Sequence, residues 1–335
     1  MSETPRISRR ALLYGGAGVI CAGAGGVVLW SRNERGMRAA TFVGRAASYA
    51  DGSRLEALLF DGLRELGLDR AALRGKRVLL KPNLVEPSRE APHINTSPAL
   101  VRAVAHVLRR LDCAEVAVGE GPGHVRDTEL VLDESGLGPV LDAERIPFHD
   151  LNYDEVDPVP NRMGYTTLAK LHLPRTLRRF DLLVSLPKMK THHWAGVTLS
   201  MKNLFGLLPG IVYGWPKNVL HEKGISQSIV DIAGTVRPGL AIVDGIVGMD
   251  GDGPIMGRPK PAGLVVMGRN VAAVDATSAR LMGFDPFRID YLAVASGRIG
   301  PIRAGHIEQR GEALAGLVQR FELLDHPSMR RFREG

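Results

Sequence analysis

The chain has 335 residues, 44% of them hydrophobic and 24% charged, an ordinary globular composition with enough apolar content for a sizeable core. Its net charge of +7 is uneven: residues 1–38 hold six arginines against two glutamates. Aromatics are only 5%, with no run of them interleaved with basic residues, which argues against a nucleic-acid partner.

The N-terminus reads ISRRALLYGGAGVICAGAGGVVLWSRNERG, in which Ser8-Arg9-Arg10 precede an uncharged run from Ala11 to Trp30. SRRALL resembles the twin-arginine export signal S-R-R-x-F-L-K, with Leu12 in place of Phe and the trailing Lys missing. The expectation is a protein exported through the cytoplasmic membrane, to the periplasm or cell envelope, by the twin-arginine translocation machinery. The alternative for residues 11–30 is an uncleaved membrane anchor, for which the run is long enough. Residues 1–38 are therefore set apart from a domain over 39–335.

Within that domain, short apolar runs alternate with amphipathic stretches. Strands are predicted over Arg77–Leu80, Glu115–Val118, Leu182–Leu186, Leu240–Val243 and Leu264–Met267. Helices are predicted over Arg54–Leu66, Pro98–Leu111, Thr128–Leu132, Ser226–Val236, Val271–Met282, Ile289–Ser296 and Ile307–Leu323. Thr96 and Ser97 before Pro98 suit a capped helix start. The alternation predicts an α/β fold, a largely parallel sheet flanked by helices. Residues 152–174 read as a proline-bearing loop that could divide the domain into lobes at about 39–155 and 175–300, followed by a C-terminal helix and tail over 301–335.

The cysteines are Cys21 and Cys113 alone. The domain after the leader cannot close an internal disulfide and has no cysteine cluster for an iron–sulfur centre.

Several predicted strands run into polar or glycine-rich residues: Lys81-Pro82-Asn83, then Gly119-Glu120-Gly121-Pro122-Gly123-His124, then Pro187 to His193, then Asp244 to Gly253. In open parallel sheets ligands bind beyond the carboxyl ends of strands, so these ends should converge on one crevice. Lys188, Lys190 and Lys202 lie among Met, Trp, Ala, Val and Leu, and partly buried ammonium groups need anionic partners. A phosphate- or carboxylate-bearing ligand supplies them, as would salt bridges to Glu120, Asp244 or Asp275. His192 and His193 are adjacent, so on an extended segment only one faces the crevice. A divalent metal site would draw on His192, His221 and Asp244, with His124 as a further candidate ligand.

KPN after the first strand, GEGPG, LPKMKTHHWAGVTLSMKNLFG, IVDGIVGMDGDGP and AAVDATSARLMGFDP together resemble the domain of unknown function 362 (DUF 362) family, over roughly residues 77–300. The resemblance implies shared positions at Lys81, Asn83, Glu120, Lys188, Lys190, Thr191, His192, Lys202, Asn203, Asp244 and Asp275. Some family members carry ferredoxin-type cysteine clusters, which this sequence lacks. The expected function is that of an exported enzyme for a small anionic ligand, with His192 or Glu120 moving protons and Asp244 orienting a base or a metal. Lys81, Asn83, Lys188, Lys190, Thr191, Lys202 and Asn203 would bind the ligand. The alternatives are a non-catalytic envelope binding protein and a partner of a membrane redox complex.

Overall fold

Residues that are apolar at every position, as in the Val78-Leu79-Leu80 run, are stable in a strand only if both faces of the sheet are covered. The computed structural model describes residues 34–333 and shows that arrangement. The segment that resembles a twin-arginine signal and the run 11–30 lie outside the described residues. Among those described, no helix is long and apolar enough to cross a membrane.

The strands are β1 (Ala39–Arg45), β2 (Arg77–Pro82), β3 (Glu115–Glu120), β4 (Phe148–Asp150), β5 (Val156–Pro160), β6 (Lys170–Pro174), β7 (Leu182–Leu186), β8 (Lys188–His192), β9 (Gly196–Thr198), β10 (Leu240–Asp250), β11 (Arg258–Gly268) and β12 (Ile307–Gly311). The main sheet runs β12-β1-β11-β10-β7-β2-β3-β4. It is parallel from β10 through β4 and between β12 and β1, while β11 lies antiparallel to both its neighbours. Alternate residues feed two cores, as the two-residue period of a strand requires. Val78, Leu80, Val116, Val118, Leu240 and Ile242 pack with helices Gly52–Glu65 and Pro98–Arg110. Ala241, Val243, Leu264 and Val266 pack with helices Ile225–Val236 and Val271–Leu281.

The predicted strands and most predicted helices are present, some of them longer than expected. The helix predicted over Ile307–Leu323 is absent. Ile307–Gly311 is β12 instead, paired in parallel with β1. Gly311 and Gly316 take positive φ values of 69° and 83°, which interrupt a helix, and the open edge of β1 satisfies the backbone of this segment. Residues 152–174 are not simply loop, because β5 and β6 form an antiparallel pair there. Pro158 and Pro160 are tolerated since a two-stranded sheet leaves each strand an edge. The described residues form one compact unit. Strands from both proposed lobes share the sheet, with β7 beside β2.

Pro187 separates β7 from β8, and the chain there leaves β7's line to pair with the far half of β10, Asp244 opposite Lys188 and Met249 opposite Lys190. At this junction Lys188 Nζ donates to Asp244 Oδ2 at 2.7 Å and to Val247 O at 3.2 Å. Asp244 also accepts from the Tyr49 hydroxyl at 2.6 Å and from Ser97 N–H, at the start of helix Pro98–Arg110, at 2.9 Å. Lys188 and Asp244 are both fully buried. The pair is a strut joining β8, β10 and two connecting loops. Asp244→Ala is expected to lower stability by about 3–5 kcal/mol by leaving the Lys188 charge uncompensated. The double variant Lys188→Met/Asp244→Ala should recover most of that loss in urea unfolding.

Candidate active site

Beyond the carboxyl ends of β2, β3 and β8 lies a cavity of about 450 Å³. Its walls include four lysines, Lys81, Lys190, Lys202 and Lys217, and four histidines, His124, His192, His193 and His221. The carboxylates in the wall are Glu86, Glu120 and Asp252.

Lys81 and Glu120, at the ends of neighbouring parallel strands, form a buried ion pair of 2.5 Å. Glu120 also accepts from Leu84 N–H at 3.2 Å and Gly121 N–H at 2.8 Å. Lys81 further donates to Pro82 O and to Asn203 Oδ1. Asn203 returns two bonds through its amide nitrogen, to Lys81 O and Ser185 Oγ, both 3.0 Å. Gly206 closes over the pair, and a Cβ there would collide with the carboxylate and the ammonium. With so many donors on it, Glu120 is a fixed counter-ion and not a free base. Burial pushes the Lys81 pKa down, and Glu120 opposes that shift.

Among the described residues, none of the other three lysines has a carboxylate within ion-pair distance, although Glu86 and Glu120 near Lys190, and Glu120 and Asp150 near Lys217, offset part of the desolvation. Lys190 Nζ donates to the carbonyls of Ile94 at 2.9 Å and Pro254 at 3.1 Å. Lys217 Nζ donates to Asn152 Oδ1. Lys202 Nζ stands 3.9 Å from the centroid of the Phe205 ring and makes no hydrogen bond or ion pair among the described residues. Burial drives all three pKa values down. Lys190 falls well below the usual lysine range, with Lys188 and Lys202 adding repulsion. Lys202 falls to about 7, with Lys81 contributing, and Lys217 also falls to about 7. Desolvation disfavours an ammonium that no anion matches.

The hydrogen-bond partners of two histidines fix opposite tautomers. His192 Nδ1 lies 3.1 Å from Trp194 N–H and 3.3 Å from Ala195 N–H, so it accepts. In the neutral ring Nε2 then carries the hydrogen and is a donor. His221 Nδ1 lies 3.0 Å from the carbonyl of Lys217, which can only accept, so Nδ1 donates and Nε2 is a bare acceptor. Both rings are held neutral. Burial and then Lys202 push His192 well below the usual range and His221 down to about 4. His221 packs edge-on against Phe205 and Trp194. His193 also lines the cavity, beside Asp252 at 3.4 Å, because the chain turns after β8 and does not stay extended. The expectation that only one of the two adjacent histidines faces the crevice is therefore corrected.

The structure gathers Lys81, Asn83, Glu120, Lys190, His192, Lys202, Asn203 and His221 around this space. It does not bring Lys188, Asp244 or Thr191 into the wall. Lys188 and Asp244 form the strut described above, and the Thr191 hydroxyl donates to Gly251 O at 3.0 Å. Asp275 accepts from Ser200 N–H at 2.7 Å and Met201 N–H at 3.0 Å, holding the first turn of the segment that carries Lys202 and Asn203. His192 is a donor here and has no free ring acceptor for a proton; His221 presents a bare one. No group of three or more His, Cys, Asp or Glu side chains among the described residues is placed to hold a metal ion, and Asp244 is not beside His192 and His221. Sequence reasoning missed Lys217 and Phe205. Lys217 follows no predicted strand, so no pattern in the chain marked it.

The family model for the domain of unknown function (DUF362) matches residues 78–280. The chain belongs to this family. It is 30% identical over 262 residues to the thylakoid-associated protein sll1697 of Synechocystis sp., covering 76% of this chain and 78% of that protein. Among solved structures, it resembles the lactate racemase apoprotein from Thermoanaerobacterium thermosaccharolyticum with a TM-score of 0.41 and 16% identity, over 64% of this chain and 51% of that one. It also resembles a Thermotoga maritima protein with a TM-score of 0.36 and 13% identity, over 59% of this chain and 50% of that one. The chain thus spans about half the length of the solved structures it matches.

Two of the lowered lysines generate a pH prediction. Lys202 and Lys217 titrate near 7 when folded and near 10.5 when unfolded, so the unfolded chain holds more protons across that window. Stability of the ligand-free protein should therefore rise as pH climbs from about 7 toward 10.5. Asp275, whose carboxyl is raised by burial to about 7, has the opposite slope, but only below that pH. Lys202→Met is expected to raise the urea midpoint at pH 6 and to flatten the rise above pH 7.

Proposed function

We propose that the cavity is an active site for a small phosphate- or carboxylate-bearing molecule on which it performs proton-transfer chemistry. The observation that carries this reading is the set of three cavity lysines with no carboxylate partner. A buried cation without a counter-charge is unfavourable, and an anionic ligand removes the deficit. Lys190 and Lys217, pinned by carbonyl and amide oxygens, would hold the anion, and the Lys81–Glu120 pair would brace the floor. His192 would donate through Nε2–H to a ligand oxygen and His221 would accept a proton at Nε2. A donor and an acceptor facing one space, both neutral near pH 7, favour turnover over mere capture.

We further propose that the protein works in the cell envelope, exported by its twin-arginine motif. The thylakoid association named for the relative and the apolar run at 11–30 support activity at a membrane surface.

Anion binding must raise the lysine pKa values, so it should take up protons. Titration calorimetry with inorganic phosphate and with sulfate, which does not itself titrate near neutrality, tests this in buffers of different ionisation enthalpy. The expected result is net proton uptake above pH 7 and an affinity for sulfate that falls by up to about tenfold per pH unit for each lysine involved. Lys190→Met should abolish binding. Absence of binding of phosphate, sulfate and small carboxylates at millimolar concentration and pH 6 would sink the proposal. Release of every bound ligand unchanged would leave a binding protein in place of an enzyme.

A further inference from the structure

Lys202 differs from the other cavity lysines. Lys81 has Glu120, Lys190 has two carbonyls and Lys217 has the Asn152 amide oxygen. Lys202 has only the face of Phe205. An aromatic face attracts a cation but leaves the nitrogen lone pair of a neutral amine unengaged. The same Phe205 ring packs against His221, whose Nε2 is a bare acceptor. A primary amine free of hydrogen-bonding oxygens and a neutral imidazole acceptor thus share one wall of a cavity whose remaining lysines are tied down.

We propose that Lys202 is a covalent catalyst whose amine condenses with the carbonyl group of an anionic aldehyde or ketone, such as an oxo acid or an aldehyde phosphate, to form a Schiff base. This rests on the reading that Lys190 and Lys217 hold the ligand's anionic group. The Lys202 nitrogen lone pair attacks the carbonyl carbon, a C–N bond forms, and the C=O π pair becomes the alkoxide. His221 Nε2 takes the proton from nitrogen and returns it to oxygen. The nitrogen lone pair then forms C=N while His221 Nε2 carries the second N–H proton to the departing hydroxyl, which leaves as water. The balance is amine plus carbonyl giving imine plus water, with no oxidant or reductant. The lowered pKa of Lys202, near 7, keeps a large share of the amine in the nucleophilic form at neutral pH. Its neighbours Lys81 and Lys190 would stabilise the developing alkoxide.

The test is reductive trapping on the folded full chain at pH 7 with sodium cyanoborohydride, followed by peptide mass mapping. Three carbonyl probes are used: formaldehyde as a small uncharged control, glyoxylate and glycolaldehyde phosphate. The expected result is that an anionic probe modifies Lys202 at least about tenfold faster than the exposed Lys76, Lys170 or Lys223. Inorganic phosphate should suppress that labelling and leave the exposed sites unchanged. Lys202→Arg should lose the adduct and still bind phosphate. His221→Gln should slow trapping by about tenfold or more with phosphate affinity retained. Labelling of Lys202 at the rate of the exposed lysines, or fast labelling by formaldehyde alone, would overturn the covalent role. If phosphate binds and no anionic carbonyl is trapped at Lys202, this inference falls and the anion-site reading stands. If phosphate does not bind, both fall.

Discussion

An ammonium ion taken out of water must meet an opposite charge or give up its proton. That constraint divides the lysines withdrawn from water in this protein, four of them fully buried and Lys202 half-buried, into two kinds. Lys188 and Lys81 sit within hydrogen-bond distance of Asp244 and Glu120, and each pair joins separate strands. Lys190, Lys202 and Lys217 meet only neutral oxygens or an aromatic ring, and all three open onto the same cavity. The first kind fastens the sheet to its connections. The second stores an electrostatic deficit, and that deficit underlies the proposal of an anionic ligand.

The sheet places the deficit where it does. Parallel strands deliver their carboxyl ends to one side, so Lys81 and Glu120 arrive together from β2 and β3. Pro187 breaks β7 from β8, and the new pairing with β10 carries Lys190 and His192 over the end of the sheet. Support then comes from groups in and behind the cavity wall. Asp275 receives the backbone N–H groups that begin the Lys202 segment, and Asn203 bonds simultaneously to β2 and β7. Gly206 leaves room for the ion pair beneath it. Donors built on strand ends and braced in this way are held in fixed positions.

The two central histidines show how the backbone decides side-chain chemistry. Neither ring differs in composition, yet one accepts from the turn that follows it and the other donates to the carbonyl of Lys217, the residue that caps helix Asn218–Glu222. Opposite tautomers follow, so one ring presents a donor at Nε2 and the other an acceptor. Their neutrality comes from the same burial that lowers the lysines, with Lys202 as a shared source of repulsion.

The chain by itself determined the α/β class, the central strands and most helices, because apolar runs and 3.6-residue periodicity are local properties. It also marked Lys81, Glu120, Lys190 and His192, since residues that follow a buried strand inherit a position at the sheet's end. It could not separate Lys188 from Lys190, two residues apart, because one meets Asp244 and the other does not, and that depends on how β8 registers against β10. Lys217 was invisible for the same reason: it reaches the cavity by way of Asn152, 65 residues earlier in the chain. The segment at 307–311 became a strand because β1 offered it an open edge. Tertiary structure alone decided these points, since ion pairing, tautomer and strand pairing each depend on a partner distant in sequence.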